Sequence, residues 1–190
     1  YYLKNGRTNI ALYEAQKMLK EAQEEDDKTG LSRCYNIMSQ IYTVKRLDSM
    51  AFEWQLKEIE LTEKYDLENY NISQTYSQIS SYYINTNQPE KALEALKKAD
   101  ATAYSPTQKI SVQLEYVNYY SKFGDMQAAE KILNECKTAF DQDKRLWSIK
   151  KRLYNIEYVY YLQSKQYPKA LEAAKKQEAE ELNLSESIQD

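Results

Sequence analysis

The densest group of chemically capable side chains in this sequence is basic: Lys144, Arg145, Lys150, Lys151 and Arg152 gather around Trp147. Cations beside an aromatic ring suit a docking patch for an acidic peptide or a nucleic-acid phosphate with a stacking Trp. They equally suit a helix whose Lys and Arg are solvated while Trp147 packs inward. Asp141 and Asp143 just upstream dilute the charge, and we adopt this second reading. Tyrosines gather at Tyr82-Tyr83, Tyr119-Tyr120 and Tyr158, Tyr160 and Tyr161, where rings could stack on a ligand or fill a core. Catalytic options are few. The chain has no His, which removes Ser-His-Asp and Cys-His catalysis and the H-E-x-x-H zinc motif. Three scattered Gly form neither a dinucleotide fingerprint nor a phosphate loop. Cys34 and Cys136 stand alone and read as small buried hydrophobes. The 29 acidic residues supply many carboxylate pairs, which read as solvated helix faces with Lys partners. No catalytic residue, metal site or cofactor is assigned, and the chain reads as a non-enzyme.

The elements that would position any site are helices. Three Gly and three Pro in 190 residues are too few for a sandwich or barrel, and the abundant Lys, Glu, Gln, Leu and Ala hold helices well. Tyr is enriched, at 19 residues, and suits half-buried helix faces. A net charge of -3 gives no field favouring a polyanion, so direct nucleic-acid binding is not expected. No apolar stretch approaches the roughly 20 residues needed to span a bilayer, so membrane contact by this segment is not expected either.

A repeat runs through the chain. Five times an Ala follows a Tyr by nine residues: Tyr2 and Ala11, Tyr42 and Ala51, Tyr83 and Ala92, Tyr120 and Ala129, Tyr161 and Ala170. The Ala-to-Ala steps are 40, 41, 37 and 41 residues. Five residues before each Ala stand Gly6, Arg46, Asn87, Gly124 and Lys165, three of them Gly or Asn, the types that tolerate the left-handed end of a helix. Pro89 and Pro168 then open segments with apolar residues at helical spacing. The pattern predicts a helix near 8-25 followed by pairs near 31-45 with 48-64, 69-85 with 89-101, 106-122 with 126-140, and 144-163 with 167-182. Ser105 before Pro106 marks a helix start.

These residues resemble the tetratricopeptide repeat family, which places Tyr late in its first helix, Gly or Asn with an acidic residue at the turn, and a small Ala early in its second. Leu114 to Cys136 is the best copy, with Tyr120, Gly124-Asp125, Ala128-Ala129 and Leu133 in family order. The steps exceed the family's period of about 34 residues, and Gln55 and Glu130 occupy usually apolar positions. The resemblance implies an all-α, right-handed superhelix, an α-solenoid of about four hairpins plus a preceding helix. It forms one repeat domain over 1–190, with units near 1-28, 29-66, 67-104, 105-142 and 143-182 and a further element starting at 183-190. The ends lack caps, which predicts further repeats beyond them and an apolar end at Tyr1, Tyr2 and Leu3 that pairs with another copy.

In the family, the first helices of successive hairpins line a concave groove. The resemblance places Asn36, Gln40 and Val44 there, then Ser77, Ser81 and Asn85, then Leu114, Asn118 and Lys122, then Asn155, Val159 and Gln163. Asn and Gln side chains can both donate to and accept from an extended backbone. The implied function is a scaffold that holds a peptide or protein segment in this groove. The alternative is a sensory module of a bacterial membrane-tethered signalling or transcription regulator, whose repeats would face the extracytoplasmic side. Only Lys122 would serve the Lys/Arg carboxylate clamp of the family's chaperone-tail receptors, and that clamp is not assigned.

Overall fold

The computed structural model describes residues 7–186 and is helical almost throughout. In chain order the helices are α1 (Thr8–Glu24), α2 (Lys28–Val44), α3 (Asp48–Tyr65), α4 (Ile72–Asn85), α5 (Pro89–Thr102), α6 (Pro106–Phe123), α7 (Met126–Gln142), α8 (Lys150–Gln163) and α9 (Tyr167–Glu186), with a 3-10 turn at Lys144–Ile149 before α8. They pair as four hairpins, α2 with α3, α4 with α5, α6 with α7 and α8 with α9, and α1 packs on α2. This is the helical-repeat solenoid that the Tyr and Ala spacing implies. Tyr1, Tyr2, Leu3, Gly6 and the segment 187–190 lie outside the described residues.

The turn between paired helices has a common chemistry. Arg46, Asn87 and Lys165 adopt φ of 57°, 58° and 60°, and Gly124 adopts 100°. In three hairpins the next amide closes back onto the carbonyl of the repeat tyrosine: Leu47 N donates to Tyr42 O at 2.9 Å, Gln88 N to Tyr83 O at 2.9 Å and Gln166 N to Tyr161 O at 2.8 Å. In the fourth, Gly124 N donates to Tyr120 O at 2.9 Å, the simpler left-handed cap. Only Gly reaches this conformation without strain from a Cβ, so Arg46 and Lys165 hold it at a cost that packing on both sides offsets.

The close approach after each turn explains the alanines. Ala11, Ala51, Ala92, Ala129 and Ala170 are all buried, with Ala92 and Ala129 at 0% exposure, and a larger side chain there would separate the paired helices. The tyrosines Tyr42, Tyr83, Tyr120 and Tyr161 are half-buried against three successive apolar clusters. The last of these clusters runs from Leu114 and Val117 through Leu133 and Phe140 to Leu153 and Tyr160.

Two boundaries differ from the sequence expectation. Helix α4 begins at Ile72 rather than near 69, because Asn69, Tyr70 and Asn71 form a turn in which Asn71 N donates to Asn69 Oδ1 at 2.9 Å. The region 144-163 is not one helix. Asp143 accepts from Arg145 N at 2.9 Å, holding the first six residues in a 3-10 turn before α8 starts at Lys150. Ser105 caps α6 as expected, in a reciprocal box with Gln108.

Candidate functional site

The first helices of the hairpins form an inner row. Helix α4 packs on α6 and α6 on α8, whereas the outer helices α3, α5, α7 and α9 make no comparable contact with one another among the described residues. The inner row therefore follows the tighter curve, and its free face is the concave one. All twelve groove positions lie on this row, but they do not share one environment. Val44, Gln40, Asn85, Lys122, Asn155 and Gln163 are exposed; Asn36, Ser81, Asn118 and Val159 are half-buried. Ser77 and Leu114 are buried, at 2% and 0% exposure. The position six residues before the repeat tyrosine thus turns into the seam between neighbouring inner helices rather than opening to the groove.

Two buried carboxylates organise the half-buried members. Glu58 on α3 is 1% exposed and accepts from four side-chain contacts of three residues. Asn36 Nδ2 lies 3.3 and 3.1 Å from its two oxygens, Asn69 Nδ2 donates at 2.8 Å and Thr75 Oγ1 at 3.1 Å. Gln40 Nε2 in turn donates to Asn36 Oδ1 at 2.6 Å. Burial pushes the Glu58 carboxyl above its usual range, and the three neutral donors oppose that shift. This hub clamps α2, α3 and the start of α4 together.

Glu115 on α6 is 3% exposed and joins three inner helices. Ser81 Oγ donates to its Oε1 at 2.7 Å, Asn118 Nδ2 to the same oxygen at 2.9 Å, and Arg152 Nη2 to Oε2 at 2.8 Å. Ser81 and Asn118, each assigned to the groove from sequence, are therefore brought together on one carboxylate. Sequence reasoning missed both glutamates. The available signal was their position on buried stripes: Glu58 lies among Ala51, Gln55, Ile59 and Thr62, and Glu115 between Leu114 and Val117. A third buried glutamate, Glu157, pairs with Lys137 of α7 at 2.9 Å.

Openings in the inner face lie beside these hubs. A cleft of about 470 Å³ between the first two hairpins is lined by Thr43, Gln55, Gln78, Ser81, Tyr82 and Asn85, among others. Gln55, polar where the resembling family is usually apolar, is 4% exposed and donates to Gln78 Oε1 at 3.1 Å across the hairpin junction. The second departure, Glu130, is exposed on α7.

The basic cluster is arranged differently from the expectation. Trp147 does not pack inward: it is 49% exposed, with Lys150 Nζ 4.2 Å and Lys144 Nζ 5.6 Å from its ring centre. The 3-10 geometry turns Leu146 into the core in its place. Arg145 is held by Asp143 at 2.7 Å, and Arg152 is committed to Glu115, so the five cations do not form one open patch. Cys34 and Cys136 are buried, and desolvation pushes the Cys136 thiol up to about 12. No helix of the described residues is long and apolar enough to cross a membrane.

Fold and site together define a tetratricopeptide-like helical repeat, an architecture commonly used as a protein-interaction scaffold. Solved structures of similar fold include BtubC (BKLC) from P. vanneervenii, with a TM-score of 0.68 at 15% identity over 99% of this chain and 77% of that one. A Podosopora anserina protein described as a kinesin light chain with nearly identical TPR-like repeats gives, in one crystal structure, 0.64 at 15% identity, covering 99% and 91%. A second structure under that description gives 0.62 at 16% identity, covering 94% and 89%. At such identities the likeness is one of fold. No curated protein sequence matches the chain significantly. The chain belongs to the RPN7 family: the family described as 26S proteasome subunit RPN7 matches residues 43–180.

Proposed function

We propose that the chain is a protein-binding scaffold, without a catalytic step of its own, whose concave face holds an extended peptide or protein segment. The observation that carries this reading is the fixed presentation of polar side chains along the inner row. Asn36, Ser81 and Asn118 are each anchored from behind by a buried carboxylate. Side chains locked in this way lose little rotamer freedom on binding, which is the main advantage a preorganised groove has over a merely polar surface. The exposed groove residues Gln40, Asn85, Lys122, Asn155 and Gln163 would meet the ligand backbone directly.

Asn85 offers the cleanest test, because it is exposed, lines the 470 Å³ cleft and sits at the end of α4. Random peptides displayed on phage are selected against the chain, and the retained peptides are titrated against Asn85→Arg. Binding should weaken about 10-fold or more while the melting temperature holds, since the added side chain fills the cleft without entering the core. Peptides that bind the variant equally well would move the binding surface off the concave face.

A second reading rests on the family itself. Membership in a family described as a proteasome subunit favours a role as a structural part of a larger assembly. In that case the concave face would be covered by another subunit, and selection would retain no linear peptide.

A further inference from the structure

A small pocket of about 180 Å³ opens on the inner face between the second and third hairpins, separate from the larger cleft. Three successive inner helices build it: Ser73, Gln74 and Ser77 come from α4, Thr107 and Ser111 from α6, and Arg152 from α8. Two of its polar atoms are buried with no hydrogen-bond partner, Ser77 Oγ and Arg152 Nε. Ser77 is 2% exposed. Buried donors are almost always paired in folded proteins, so two orphans at one opening point to an acceptor that comes from outside the chain.

The charge balance selects the kind of acceptor. Arg152 is already neutralised by Glu115, whose Oε2 lies 2.8 Å from Nη2 and which is itself 3% exposed. A carboxylate or phosphate would set a second anion on one guanidinium in a half-buried place, where repulsion between the two is poorly screened. A neutral acceptor carries no such penalty. Around the orphans stand the hydroxyls of Thr107 and Ser111, which can accept as well as donate, while the Ser73 hydroxyl already donates to Ala99 O at 2.8 Å. The lining thus offers donors and acceptors at once, the complement of a primary amide.

We propose that this pocket recognises a carboxamide side chain, Asn or Gln, of the segment bound along the concave face. The inference rests on the groove reading and adds a specificity position to it. The amide oxygen would accept from Arg152 Nε and Ser77 Oγ, and the amide nitrogen would donate to the Thr107 and Ser111 hydroxyls. This subsite differs from a charged clamp in that it rejects an acid.

The test uses the phage-selected peptides, made synthetically, on the whole chain. One Asn or Gln position should recur among them. Replacing that residue by the isosteric acid, or by Leu, should weaken binding about 10-fold, because buried donors and acceptors in the pocket would be left opposed or unmatched. Ser77→Ala removes a hydroxyl that makes no hydrogen bond in the folded chain, so its melting temperature should hold. It should lower affinity for the carboxamide peptide about 5-fold and leave the Leu peptide unchanged. Ser111→Leu, which narrows the pocket from α6, should give the same loss of preference. Three results would overturn the proposal. Enrichment of Asp or Glu at the recurring position would make this an anion site. Peptides that bind without any preference here, yet are still lost on Asn85→Arg, would leave the groove standing and reduce the pocket to a water site. If no peptide is retained, the groove reading falls and this subsite with it.

Discussion

The Glu58 and Glu115 hubs solve the same problem in two ways. Each buries a carboxylate almost completely at a junction of inner helices, and each collects side chains from neighbouring repeats. Glu58 is satisfied by neutral donors alone, from Asn36, Asn69 and Thr75. Glu115 has two neutral donors and a cation, Arg152. A buried charge without a counter-ion is held only by the number and aim of its dipoles, and it protonates readily when they are too few. A buried ion pair is stable while intact and costly to break. The amino-terminal half of the groove should therefore tolerate loss of charge, and the carboxy-terminal half should tolerate it poorly.

The largest effect that tests this contrast is Arg152→Met. It strands Glu115 beside Ser81 and Asn118, and breaking a buried pair costs about 3–5 kcal/mol, measured by urea denaturation. A loss under about 1 kcal/mol would show that two neutral donors suffice for Glu115 as three do for Glu58, and the comparison would collapse. Next in size are the matched substitutions Asn36→Ala and Asn118→Ala. Asn36 spans both oxygens of an otherwise uncompensated charge, so its loss should cost about 2–3 kcal/mol, the range for a hydrogen bond to a charged group. Asn118 shares Glu115 with Arg152, and its loss should cost under half as much. Equal costs would mean that the cation does not lighten the work of the neutral donors.

How far these features could be read in advance differs between fold and groove. The Tyr-to-Ala spacing located every hairpin because it encodes strong local constraints: a left-handed turn, a closing hydrogen bond to the Tyr carbonyl, and a helix contact that admits only Ala. The inner row followed from the same register. The groove's internal arrangement did not, since it depends on contacts between residues far apart in sequence, such as Ser81 with Glu115 and Glu115 with Arg152. Glu58 and Glu115 look like any of the surface glutamates until the buried stripe around them is drawn. Trp147 was misplaced because a 3-10 turn rotates successive side chains differently from an α-helix, sending Leu146 inward. Arg152, one of five cations in a run that reads as solvated, is the residue on which the carboxy-terminal hub depends.

The smallest effect bears on Glu58 itself and depends on pH. In Glu58→Gln the remaining oxygen still accepts from Asn36 or Asn69. The new amide can donate to Thr75 Oγ1, whose own hydrogen turns to Asn71 O at 3.4 Å. Because the substitution removes a desolvated charge that has no cation, the variant should be more stable than the parent at pH 7, by about 1 kcal/mol. The parent's folded carboxyl titrates above the ordinary value of 4.5, so on acidification it takes up its proton in the folded state before the unfolded chain does. Stability falls with rising pH wherever the folded state binds more protons, and rises again as pH is lowered through that window. The variant's advantage should therefore shrink between pH 7 and pH 5, with the other carboxylates cancelling in the difference. An advantage that grows on acidification would mean that the neutral donors stabilise the Glu58 anion as firmly as Arg152 stabilises Glu115, and the two hubs would then differ in composition but not in physics.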